Sequence, residues 1–168
     1  MFINDLDTLV TIGKTDIEHV IERMVPVLHL YNWNFYSSLE VLKEYRQAAL
    51  EQFSKDYLTG RIENRYIKGE LPDLPFGDKT FDIVLSGHFL FTYSDKFDYF
   101  FHLASVLELY RICSIEVRIY PLQGPDAKPY NYLNKLLSDL KLNSVNYRIL
   151  PVPFEFQKGS NKMLHLFR

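Results

Sequence analysis

The sequence has few of the features that mark secreted, membrane-spanning or nucleic-acid-binding proteins. Its 168 residues include a single cysteine, Cys113, so no disulfide can form within the chain. No apolar run approaches the roughly 18 residues that a membrane helix needs, and residues 1–13 lack the basic-then-apolar pattern of a signal peptide. The formal net charge is -2, and no basic cluster suits a phosphate backbone. We therefore expect a cytoplasmic protein with no membrane or nucleic-acid partner.

The sequence also lacks the usual patterns of metal and hydrolase sites. Its five histidines include no pair spaced four residues apart. With one cysteine there is no zinc-binding pattern, so we predict no metal site. Cys113 is expected to be a small buried apolar residue. No Gly-x-Ser-x-Gly turn is present to indicate a serine hydrolase.

Two helices are predicted in the first 60 residues. Thr15–Glu18 has the hydroxyl and carboxylate spacing of a capping box, and Ser37–Glu40 repeats it. Apolar residues at helical spacing follow each of these segments. Pro26 should kink or end the first helix, and Gly60 suits the position just past the end of the second.

The remainder alternates between strand and helix patterns. Strands are predicted at residues 65–67, 81–86, 115–120, 145–149 and 163–167. Helices are predicted to begin at Ser94–Asp95 and near Pro129. The run at 81–86 has the apolar character of a strand that is buried on both faces, and Glu116 and Arg118 are predicted to form an ion pair on the next strand. The chain is thus predicted to be one α/β domain, with a helical part at 1–60 and an α/β part at 61–168.

Residues 69–84 read GELPDLPFGDKTFDIV, which is an acid, Leu-Pro-Phe, an acidic turn and then Phe-Asp opening a buried strand. Together with its flanks, Ile67 to Asp95, this passage resembles the adenine-side half of a class I S-adenosylmethionine-dependent methyltransferase. The resemblance covers residues 15–168. It implies a partial Rossmann-like methyltransferase sheet, mostly parallel, with an antiparallel last strand. Because no helix is predicted between the last two strands, we expect them to form an antiparallel pair at one edge.

The resemblance also implies which residues border the cofactor. Glu70 would accept a hydrogen bond from the adenine amino group, because a carboxylate only accepts, and Leu71 would meet the adenine ring. His88 is a candidate general base, although a wall or structural histidine is the alternative. Glu70 has a similar alternative as a solvated loop acid. The strand end Ser86, Gly87 and His88 would border the methionine part of the cofactor, with Phe89 and Phe91 as walls.

The other half of such a site has no counterpart in the sequence. The chain contains no Gly-x-Gly, and Gly13 has no strand before it. We therefore expect a truncated methyltransferase-like chain that is inactive alone and binds S-adenosylmethionine only if the missing half is supplied. The methyl acceptor is unknown, although the segments Tyr120–Asp126 and Asn143–Phe167 could shape its pocket. The alternative is a non-catalytic α/β module that self-associates through its open sheet edge and aromatic surface.

Overall fold

The structure is a computed structural model that describes residues 5–168. The chain forms two compact units, of which the first ends at Lys68 and the second spans Gly69–Arg168. The first unit is helical and the second holds the sheet. The change from helical to α/β structure therefore falls a little after the predicted boundary at residues 60 and 61. Within residues 5–168, every helix is too short or too polar to traverse a lipid bilayer.

The first unit is an antiparallel pair of helices, α1 (Leu6–Met24) and α2 (Leu39–Ile62), joined through a 3-10 helix at Val25–Leu30. Lys43 of α2 forms an ion pair with Glu18 of α1 at 2.7 Å. The fully buried apolar side chains between them are Ile17, Met24 and Leu42.

The start of α1 differs from the prediction, whereas α2 begins within the predicted segment Ser37–Glu40. Asp5 caps α1, since its carboxylate accepts from the Thr8 N–H at 2.8 Å. Thr15 lies inside this helix, and its hydroxyl donates to the Thr11 carbonyl at 3.1 Å. Ser38 caps α2 by accepting from the Val41 N–H. The predicted interruption at Pro26 is confirmed, because α1 ends two residues before it.

The predicted strand at 65–67 is wrong. Arg65 forms a two-pronged ion pair with Asp56 of α2, and the Tyr66 hydroxyl donates to the same carboxylate at 2.8 Å. These bonds fold the segment back on the end of α2. Gly60, which was expected just past that end, lies inside α2 and is buried against the Tyr66 ring.

The second unit is built on one four-stranded sheet. Its strands are β1 (Phe81–Gly87), β2 (Cys113–Tyr120), β3 (Asn146–Pro151) and β4 (Lys162–Phe167), in the spatial order β1-β2-β4-β3. β1 and β2 are parallel, whereas β4 is antiparallel to both β2 and β3. The predicted pairing of the last two strands is thus confirmed. The expectation of a mostly parallel sheet is not, because β4 is inserted between β2 and β3 and makes two of the three pairings antiparallel.

Two helices cover one face of this sheet, α3 (Tyr99–Arg111) and α4 (Leu133–Leu142). α3 is capped by Asp98, not by Ser94–Asp95, and α4 begins four residues after Pro129. Cys113 is buried, as predicted. The central core consists of fully buried side chains from the sheet, both helices and the segment after β1: Leu90, Phe91, Val106, Val117, Ile119, Leu136, Leu140, Leu164 and Leu166.

Strand β1 lies at the edge of the sheet and is buried on one face only. Val84 points into the core, but Ile83 and Leu85 on the other face are exposed. The prediction that this strand is buried on both faces is therefore wrong. An apolar run also fits a strand whose second face is covered only when another layer packs on it.

Candidate cofactor site

The first part of the predicted site is the loop that precedes β1. The side chain of Glu70 is exposed, and its backbone carbonyl accepts from the Asp73 N–H at 2.9 Å. Among residues 5–168, no hydrogen-bond donor contacts the Glu70 carboxylate, so its oxygens can accept from a ligand. Leu71 is half-buried and packs against the central core. The loop thus presents an acid beside an anchored apolar side chain.

An ion pair at the end of α3 holds the rest of this loop. Glu108 accepts from the Leu74 N–H at 2.8 Å and from the Arg111 guanidinium at 2.7 Å. Arg111 also donates to the Phe76 carbonyl and to the Asp78 carboxylate, each at 2.8 Å. The hydrogen bonds from Arg111 hold the pKa of Glu108 below its usual range. We call Glu108 and Arg111 the loop clamp, since together they bond three residues of the loop.

The second part of the predicted site is the carboxyl end of β1. Ser86 is half-buried, and Gly87 pairs with Tyr120, the last residue of β2. Apart from its chain neighbours, no atom of residues 5–168 lies within 4 Å of the position that a Gly87 side chain would take, so these residues leave space beside this strand end. His88 follows in a left-handed conformation, with φ of 53°. Carboxyl ends of neighbouring parallel strands are where α/β sheets bind ligands.

Tyr120 links this strand end to the loop between β3 and β4. Its ring meets the His88 ring edge to face, with 5.2 Å between the centroids. Its hydroxyl lies 2.7 Å from the Ser160 carbonyl and 3.1 Å from the Phe154 carbonyl. Burial raises the pKa of the Tyr120 phenol, so it stays a neutral donor. The ends of β1 and β2 and the β3–β4 loop therefore form one connected surface.

The two phenylalanines that were expected to wall the pocket have different positions. Phe89 is partly exposed next to His88, as a wall residue would be. Phe91 is fully buried in the core, where its ring packs on Tyr130 and stacks on His102. It cannot contact a ligand in the open space, and the expectation for Phe91 is wrong.

The described residues offer three features that a ligand could use. Glu70 offers free acceptor oxygens, Leu71 an apolar surface and Gly87 an open space at a strand end. The glycine turn and the ribose-binding acid have no counterpart in the sequence. Ser86, Gly87 and His88 are brought next to Tyr120, whereas Glu70 and Leu71 lie on the separate loop before β1.

Sequence reasoning did not single out the loop clamp, and it named Tyr120 only as the start of a loop that could shape the acceptor pocket, not as a neighbour of His88. Glu108 and Arg111 are three residues apart on a helix, a spacing typical of an exposed pair, and nothing local shows that they bond a distant loop. Tyr120 could have been found, because it ends the strand that follows β1 and precedes Pro121.

Comparison with known proteins gives one curated relative. The chain is similar to an uncharacterised protein of Methanocaldococcus jannaschii, with 36% identity over 138 residues. The match covers 82% of this chain but 59% of the relative, so the chain spans well under two thirds of that protein. No protein-family model matches the chain, and no solved structure matches it.

Proposed function

We propose that the chain is the C-terminal part of an S-adenosylmethionine-dependent methyltransferase. The observation that best supports this proposal is the sheet order β1-β2-β4-β3, in which the antiparallel last strand lies beside β2. The resemblance at residues 69–84 implies an antiparallel last strand in the second half of a Rossmann-like methyltransferase sheet. In that arrangement the free edge of β1 is where the glycine-rich half joins the sheet.

The loop before β1 supports the same proposal. Its acid, Glu70, keeps its carboxylate open while the loop clamp fixes the chain a few residues later. Because the loop clamp already fixes this loop, the Glu70 carboxylate loses little conformational entropy when a ligand binds. The curated relative is also longer than its matched region, which leaves room in such a protein for the glycine turn and the ribose-binding acid.

The role of the protein in this reaction is to position the substrates. The cofactor supplies an electrophilic methyl group and its own leaving group. We expect Glu70 and Leu71 to bind the adenine end, and Ser86, Gly87 and His88 to border the methionine end, beside which the acceptor meets the methyl group. His88 is the candidate general base that would take a proton from the acceptor. We place the protein in the cytoplasm, where the buried thiol of Cys113 stays reduced.

Calorimetry with S-adenosylhomocysteine tests this proposal. A chain extended by its own upstream reading frame should bind the ligand, and Glu70→Ala should weaken binding at least about tenfold, or about 1.4 kcal/mol. Asp73→Ala is the matched control, because this nearby acid contributes its backbone N–H rather than its carboxylate. Tight binding by the 168-residue chain that survives Glu70→Ala would contradict the proposed site. If the upstream reading frame encodes no glycine-rich segment, the proposal that this chain is part of a longer methyltransferase would be contradicted.

A second function is favoured by the exposed face of β1. Ile83 and Leu85 form an apolar row on an edge strand, and such edges template pairing with another chain. We propose that the chain without its glycine-rich half is a non-catalytic module that self-associates. Sedimentation equilibrium should give a weight-average mass that rises with concentration above the 19.9 kDa of the monomer. A constant monomer mass at high concentration would contradict self-association.

A further inference from the structure

A groove lies between α1 and α2 of the first unit. Its volume is about 640 Å³, and small-molecule pockets measure about 300–1,000 Å³. Val10, Lys14 and Glu18 line it from α1, at the four-residue spacing of one helix face. Leu50 and Glu51 are among the residues that line it from α2. Val10 and Glu18 lie about 12 Å apart along the helix axis, so an extended small molecule fits lengthwise.

The floor of the groove is apolar. The side chains of Val10 and Leu50 are half-buried there. A Cβ on Gly13 would lie 2.7 Å from Cδ1 of Leu50, so the missing side chain at Gly13 lets Leu50 reach across to α1. The hydroxyl of Ser54, which also lines the groove, donates to the Leu50 carbonyl at 2.7 Å and is not free to donate to a ligand. This floor favours an apolar ligand body.

The rim of the groove is charged, and one of its charges is not paired. Glu18 forms an ion pair with Lys43 at 2.7 Å, and Glu51 forms one with Lys55 at 2.6 Å. Lys14 makes no ion pair and no hydrogen bond through its ammonium within residues 5–168. Three lysines and two glutamates therefore leave one positive charge at the groove, which is that of Lys14. Its ammonium can donate hydrogen bonds to an anion.

We propose that this groove binds a small carboxylate with an unbranched apolar tail. The tail lies over Val10 and Leu50, and the carboxylate accepts from the ammonium of Lys14. A neutral alcohol with the same tail leaves Lys14 without an anionic partner and binds more weakly. A cation with that tail is repelled by the unpaired positive charge. The site lies wholly within the first unit, so it does not depend on the methyltransferase function proposed for the second.

Titration of the 168-residue chain with octanoate, followed by amide shifts in nuclear magnetic resonance spectra, tests the proposal. Octanoate should shift the resonances of residues 10–18 and 47–55 along one saturating curve. 1-Octanol should bind the same residues about three- to fivefold more weakly, which is the effect of one partly exposed ion pair. Octylammonium should give no saturating shift. These ligands contain no part of S-adenosylmethionine, so the result is independent of the cofactor site.

Variants of Lys14 separate the charge from the apolar floor. Lys14→Ala should weaken octanoate binding about three- to fivefold and leave 1-octanol binding unchanged. Lys14→Arg should keep the preference for octanoate. Lys96→Ala, at an exposed lysine of the second unit, is the matched control and should change nothing. Circular dichroism at 222 nm checks that each variant keeps its helices.

Three results would overturn the proposal. The first is equal affinity for octanoate and 1-octanol in the unsubstituted chain. The second is an octanoate affinity that survives Lys14→Ala unchanged. The third is a set of shifts that does not saturate or that spreads over both units, since a defined groove gives a local, saturable response.

Discussion

The backbone N–H of His88 donates to the carbonyl of Tyr120 across 2.7 Å, and the two rings meet edge to face. This pair joins the ends of the two parallel strands. It also holds His88 in its left-handed conformation, which a residue other than glycine adopts at a cost. Any ligand at this strand end would meet a histidine whose backbone is fixed by the neighbouring strand.

Removing the Tyr120 hydroxyl should loosen the loop between β3 and β4. Tyr120→Phe keeps the ring against His88 but leaves the carbonyl of the buried Ser160 without this donor. We expect a loss of about 1–2 kcal/mol in the free energy of unfolding and faster amide hydrogen exchange in residues 152–161. Urea unfolding and exchange mass spectrometry measure the two effects. Tyr93→Phe, at a half-exposed ring, should change neither, and equal effects in both variants would refute the assigned role.

The strands were predictable because each one is a short apolar run between turns. The predicted strands 81–86, 115–120 and 163–167 fall within observed strands, and 145–149 begins one residue before β3, whereas 65–67 forms no strand. The first residues of the helices were harder to predict from the sequence, because several nearby residues can cap each helix. Asp5 and Asp98 cap where Thr15 and Ser94 were expected. The direction and insertion of β4 depend on long-range pairing, which no local pattern encodes.

The candidate site was predictable only where the pattern is local. Glu70 stands out by its place in the Leu-Pro-Phe passage, and its exposed side chain fits both the cofactor role and the alternative of a solvated loop acid. The clamp of Glu108 on Leu74 joins residues 34 positions apart, so spacing along the helix does not reveal it. Phe91 was misassigned because its position after the strand end does not show which way the ring turns.

Weakening the loop clamp should destabilise the second unit. In Glu108→Gln the carboxylate that binds Arg111 and the Leu74 N–H becomes a neutral amide, at an expected cost of about 2 kcal/mol. Because the pKa of Glu108 is lowered in the folded state, its stabilisation is present above the unfolded carboxyl pKa. It is lost as the pH falls through the folded pKa. The difference between wild type and variant in urea unfolding should therefore shrink in acid. Asp95→Asn, in an exposed pair with Lys96, should have little effect at any pH.

The buried Tyr130 should make the second unit sensitive to alkali. Its hydroxyl lies 3.0 Å from Nδ1 of His102, whose Nε2 lies 3.0 Å from the Leu90 carbonyl. A carbonyl only accepts, so Nε2 carries the proton and Nδ1 accepts from Tyr130.

Burial raises the pKa of Tyr130 to about 12. The neutral phenol of Tyr130 stabilises the fold fully at pH values below the unfolded phenol pKa of about 10. This stabilisation is lost as the pH rises through 12. Burial also raises the pKa of Tyr120, so ultraviolet absorbance should show several delayed phenolates, of which the last titrates together with unfolding. Tyr130→Phe should abolish that step and, at neutral pH, cost about 1–2 kcal/mol. Tyr132→Phe, at an exposed ring, should leave this last step in place, and its disappearance there would contradict the assignment.

Two glycines inside the helices of the first unit should respond to alanine in opposite directions. A Cβ at Gly60 would lie 2.3 Å from the Tyr66 ring, which is held between Phe53 and Tyr57 and bonded to Asp56. Moving that ring should cost about 1–3 kcal/mol, more than the roughly 1 kcal/mol that alanine gains over glycine in a helix.

A Cβ at Gly13 would instead meet only the flexible end of Leu50, at 2.7 Å, so the helical gain should dominate. Thermal unfolding followed by circular dichroism at 222 nm should thus show a lower midpoint for Gly60→Ala and an equal or higher one for Gly13→Ala. A Gly60→Ala variant that melts above wild type would mean that the Tyr66 ring can move aside freely. In that case its bond to Asp56 would not be what folds the segment at 65–67 back on α2.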